Sequence, residues 1–180
     1  LSANAVLLQL FTLVSYVMDG FAYAGEAVGG HLVGAGSAAR FRRLVRTLFT
    51  WGVGLSLLFS AVFALGGSAL IALFTDAVAV RQAAESYLLY AVLLPPVAMS
   101  GFLLDGLFVG TTATSGMLLG VAVAAVGFFA LHSLLAPTLG NHGLWIAFLS
   151  YLALRGLVQG AQLPAIVRRS FAPSAAQTAH

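Results

Sequence analysis

Cysteine is absent from this 180-residue sequence, and so is lysine. Without cysteine there is no disulfide, no thiolate chemistry and no cysteine-based metal site. Charge of either sign is scarce: eight arginines and five acids make 7% of the chain, where a soluble domain carries about 25%. That is too little to cover a surface facing water. The strict alternation of a membrane-spanning strand is missing as well. What is there is apolar: 61% of the residues are hydrophobic and the mean hydropathy is +1.01. The sequence therefore predicts an integral membrane protein of the all-α class. The isoelectric point near 9.8 does not imply nucleic acid as a partner, because a few arginines at membrane edges outweigh the acids. An enzyme is not expected either. His31, His132, His142 and His180 are scattered and make no ligand set, no Ser, His and Asp arrangement stands out, and GAGSAAR lacks the preceding strand and the full glycine pattern of a nucleotide loop.

Charges and helix breakers divide the chain. A span needs about 20 apolar residues, and five fit: residues 3–33, 48–74, 83–109, 116–136 and 144–167. The last two are separated at PTLGNHG, residues 137–143, since Pro and Gly end helices. Residues 1–169 form one bundle in this reading, and 170–180 form a small, polar, disordered tail. Arg40, Arg42, Arg43, Arg46, Arg168 and Arg169 fall on one side of a five-span bundle and Arg81 on the other. The positive-inside rule then puts the N-terminus outside and the C-terminus in the cytoplasm. Trp51 and Trp145 are expected near opposite interfaces. The chain starts on Leu1 without a signal peptide. An outside N-terminus then implies that at least one helix precedes it.

Four charges fall inside the spans: Asp19, Glu26, Asp105 and Arg155. Each costs about 2.5–3.5 kcal/mol at a helix centre, so such groups face a bundle interior or a wet cavity and mark function by default. Asp19 and Glu26 are seven apart and share a face, with Tyr16, Tyr23 and Gly30 on or near it. At 1.5 Å per residue, Asp19 and Arg155 lie roughly 15–25 Å from the outer surface and Glu26 and Asp105 roughly 30 Å. The expectation is an Asp19–Arg155 pair near the midplane and a Glu26–Asp105 neighbourhood below it. Asp105, Asp19 and Glu26 are the candidate ion- or substrate-binding residues, Arg155 is their electrostatic partner, and Pro95 and Pro96 are hinge candidates. VMDGFAYAG (17–25) and LLDGLFVGT (103–111) repeat an Asp-Gly pair within an apolar helix. Gly25/Gly29, Gly106/Gly110, Gly116/Gly120 and Gly156/Gly160 have the spacing of closely packed membrane helices.

Three stretches, LLQLFTLVSYVMDGFAYAGEAVGGHLVGAG, FLLDGLFVGTTATSGM and LGNHGLWIAFLSYLALRGLVQG, together resemble the multidrug and toxic compound extrusion (MATE) family, most of all its DinF-like bacterial branch. The resemblance runs from about Leu1 to Val167. It implies one of two six-helix lobes around a central cavity, here the second lobe without its first helix, in the bacterial inner membrane. It implies export of organic, often cationic compounds in exchange for H⁺ or Na⁺, with no other cofactor. The partners are then the bilayer, a small organic substrate, and a missing N-terminal lobe or another membrane chain. Asp105 matches the place where some members of another branch hold a cation, Asp19 and Glu26 match the DinF-like pattern, and Arg155 matches the final-helix pattern. Two departures stand out: TTATSG has no basic residue in the loop after the third span, and the lobe holding the coupling acid of proton-driven members is absent. A flippase for lipids or lipid-linked precursors is the alternative. Its cavity would need more basic residues than one Arg against three acids. A non-transporting subunit or vestigial half-transporter is a further one.

Overall fold

The computed structural model describes residues 2–172. Six helices follow one another: α1 (Ser2–Gly34), α2 (Ala38–Phe74), α3 (Val78–Glu85), α4 (Leu88–Gly110), α5 (Thr114–Leu139) and α6 (Asn141–Ser170). All but α3 are long and apolar enough to cross a membrane. Among the described residues there is no strand, and the chain is an all-α transmembrane bundle.

α4 is the centre. It packs against α1, α2 and α6, while α5 lies on the far side of α6. α1 offers α4 a stripe that recurs every three or four residues, Leu7, Leu10, Val14, Met18 and Ala22, all buried. Small residues then let the backbones touch. A Cβ on Gly106 would strike the Ala22 carbonyl, and one on Gly110 would sit 2.6 Å from the Glu26 carbonyl oxygen. The register shows that α1, α4 and α6 run in the same direction, with Gly156 of α6 against Ser100 of α4. The two Asp-Gly pairs thus lie on adjacent parallel helices, but only Gly106 is at the seam; Gly20 meets open space.

Helix ends depart from the apolar runs. α2 begins ten residues before residue 48, so Arg40–Arg46 are helical. Arginine is a good helix former, and a helix of 37 residues, about 55 Å long, simply projects beyond the hydrocarbon core. The segment read as one helix over 83–109 is two, α3 and α4, divided at Ser86 and Tyr87. Arg81 of α3 donates to the Thr75 and Ala72 carbonyls, capping the end of α2, and pairs with Asp76 at 3.1 Å. α5 continues through Pro137 to Leu139, and Gly140 (φ +53°) alone separates it from α6. Two helix ends close by the same pair of bonds: α1 with Gly36 in the left-handed conformation, α4 with Thr112 (φ +56°). A β-branched residue there is strained. α6 reaches Ser170; the part of the expected tail at 173–180, His180 included, lies outside the described residues.

Pro95 and Pro96 sit inside α4, which is continuous across them. Pro96 has no N–H to give the Val92 carbonyl. The Ser60 hydroxyl of α2 donates to that oxygen instead, at 2.7 Å.

Candidate functional site

The intramembrane charges gather where α1, α4 and α6 run side by side. On α6, Arg155 and Gln159 are one turn apart and share a face. Both reach Asp105 of α4. The Gln159 amide nitrogen donates to one carboxylate oxygen at 2.7 Å, and the Arg155 guanidinium pairs with the other. Arg155 lies along Gly101, where a Cβ would already be 3.6 Å from its side chain, and its guanidinium stands 5.9 Å from the centre of the Phe102 ring. The Arg155 and Asp105 side chains are 17% and 22% exposed, while Gln159 is fully buried. This is a charge-assisted node shielded on most sides, where such contacts count most.

The expected pairing is therefore corrected. Arg155 bonds to Asp105, not to Asp19, and Asp105 has both oxygens committed to α6 rather than facing Glu26. The reason is depth. Counting α4 from residue 83 puts Asp105 well below Arg155. With α3 taken out of the span, Asp105 lies about 25 Å along its helix and Arg155 about 21 Å along its own. Asp19 is at a similar level on α1 but forms no ion pair with Arg155.

Asp19 and Glu26, both half-buried, make no side-chain hydrogen bond or ion pair among the described residues. They alternate with Tyr16 and Tyr23, which are 73% and 70% exposed, at spacings of three and four. The result is one polar stripe, Tyr16, Asp19, Tyr23 and Glu26, in which the tyrosines are exposed and the acids partly covered. Sequence reasoning missed Gln159, although its place four residues after Arg155 in an apolar helix was a legible signal. It also missed the Asn4–Asn141 amide pair, joined in both directions at 2.6 and 2.9 Å, which ties α1 to α6 at the end opposite Arg40–Arg46 and Arg168–Arg169. Trp145 is not a lipid-facing belt residue: its ring is buried and its indole N–H donates to Asn4 at 3.1 Å.

The arrangement can hold a proton, a small cation or a cationic group against the two acids of α1, unpaired among the described residues, beside one carboxylate already engaged.

The MatE family model matches residues 1–138 of this chain. The chain is 44% identical over 169 residues to DNA damage-inducible protein F of Escherichia coli (strain K12), covering 94% of this chain and 36% of that protein. It is 29% identical over 189 residues to the probable multidrug resistance protein NorM of Rhizobium meliloti (strain 1021), covering 97% of this chain and 39% of that protein. The chain thus spans less than two fifths of the length of these relatives. No solved structure matches it.

Proposed function

This chain belongs to the MatE family, the multidrug and toxic compound extrusion proteins, and on that premise we propose that it forms most of one lobe of an exporter that moves organic cations in exchange for H⁺ or Na⁺. The observation that carries the reading is the part-exposed polar stripe of α1, whose two acids have no partner among the described residues, together with the Asp105 node. An acid facing lipid is costly, so the stripe calls for a wet cavity. A second lobe, supplied by the rest of a longer chain or by another membrane chain, would form the cavity's other wall. Asp19 and Glu26 offer carboxyl groups, unpaired among the described residues, to a cation. Asp105 becomes available once Arg155 and Gln159 let go, and ion binding there would bias the rocking of one lobe against the other. Three acids against one arginine favour cationic cargo over the phosphate groups of a lipid precursor.

The test is ion-driven efflux of a cationic dye from vesicles holding the intact protein. Asp105→Asn and Asp19→Asn should each lower the rate about tenfold or more, which corresponds to at least about 1.4 kcal/mol on the barrier of the transport step. Wild-type rates from both variants, at equal folded amounts, would point to a non-transporting lobe. The arginine-rich end is assigned to the cytoplasm of a bacterial inner membrane. In a cysteine-free background, Ala39→Cys should resist an impermeant thiol reagent added outside intact cells, and labelling from outside would reverse the assignment.

A further inference from the structure

Six arginines collect at one end of the bundle, four in the first turns of α2 and two in the last turn of α6. Between the two helices here lies a cleft of about 560 Å³. Its rim is formed by Arg42 and Arg46 on one side and Arg168 on the other; its walls are Val45, Leu163, Pro164 and Val167. At the helix ends the Phe41 and Phe171 rings meet 5.4 Å apart. None of the three rim arginines pairs with an acid among the described residues. The chain's five acids lie elsewhere: Asp19, Glu26 and Asp105 within the spans, Asp76 and Glu85 at the opposite end.

We propose that this cleft binds an anionic phospholipid, with the phosphate held by Arg42, Arg46 and Arg168 and an acyl chain laid along the aliphatic walls. Two features select that occupant. Three arginines without an acidic partner among the described residues line one cleft at a helix end, the level at which phospholipid phosphates lie, and guanidinium matches phosphate oxygens in pairs. Apart from those groups the lining is aliphatic, which a free phosphate ion cannot use and an acyl chain can. The walls belong to membrane-spanning helices, so lipid is also the medium at hand. This site is independent of the carboxylate node and does not rest on the export reading.

Native mass spectrometry of the intact protein in a neutral detergent tests it. The probes are dioleoylphosphatidylglycerol, dioleoylphosphatidylcholine with the same chains, and inorganic phosphate. The expected result is retention of the glycerol lipid well above the choline lipid, with no displacement by phosphate at equal concentration. The R42Q/R46Q/R168Q variant should bind it roughly a hundredfold more weakly, at about fivefold per cation. Arg40 and Arg43 are exposed but do not line the cleft, so R40Q/R43Q should stay within about threefold of wild type, removing only diffuse attraction. Val167→Trp keeps every charge, and with it the orientation signal. By filling the walls it should cost about tenfold in lipid binding. Equal retention of both lipids, a triple variant that binds like wild type, or full displacement by phosphate would overturn the site.

Discussion

Asp105 illustrates how a residue that reads as available in a sequence is committed in a structure. Both of its oxygens are taken by α6, so removing the carboxylate strands a guanidinium that is 17% exposed within a span. Breaking a buried pair by deleting one partner costs about 3–5 kcal/mol, and partial exposure puts this pair at or below the lower end. Asp105→Asn and Arg155→Gln should therefore each destabilise the protein by about 2–3 kcal/mol, while the double variant loses less than the sum. A coupling of about 1–3 kcal/mol is expected from reversible unfolding in mixed detergent micelles. Additive losses would mean that the contact holds nothing together. The acids themselves were legible, because an ionised group in an apolar run has a cost that demands a reason. Their partners were not, because pairing depends on relative depth. A depth error of a few residues, made by reading α3 as part of α4, moved Asp105 away from Arg155 and brought Asp19 to it.

At the scale of elements, the five spans could be read from apolar length, and their ends could not. Hydropathy marks where lipid begins, whereas a helix ends where its hydrogen bonds do, which is why α2 extends back through its arginines to Ala38 and α5 on through Pro137. The Pro95–Pro96 pair shows the same distinction. The sequence marks a missing donor; it does not show that Ser60, on another helix, supplies one to Val92. A hinge at this point has to open that bond. Ser60→Ala should cost about 1–2 kcal/mol, the price of an orphaned carbonyl moderated by membrane surroundings. In a Pro96→Ala background the restored N–H takes over the Val92 oxygen, and the same serine substitution should cost almost nothing. Equal losses in both backgrounds, measured by thermal unfolding, would mean that the hydroxyl does not brace the proline.

For the whole molecule, what matters is what covers each face. Viewed alone, the bundle exposes large apolar side chains such as Val126 and Phe129 of α5 as fully as it exposes Tyr16 and Tyr23 of α1. Exposure cannot tell lipid from water, but chemistry can: α5 carries no acid, while the α1 stripe alternates its tyrosines with Asp19 and Glu26. If α1 lines a cavity, a thiol there is hydrated and ionises; on a lipid face it does neither. Maleimide attacks the thiolate, so in membranes holding the intact protein Tyr23→Cys should react with a water-soluble maleimide at least about tenfold faster than Val126→Cys. Both positions are on the surfaces of long helices, well inside their ends, so the comparison holds depth roughly fixed and reads the medium. Coupling ion or cationic cargo supplied from the cavity side should slow Tyr23→Cys and leave Val126→Cys unchanged. Equal rates at the two sites would place α1 against lipid. A cavity built on the acids of the stripe would then have to be abandoned, since the stripe would have no water-filled space to line.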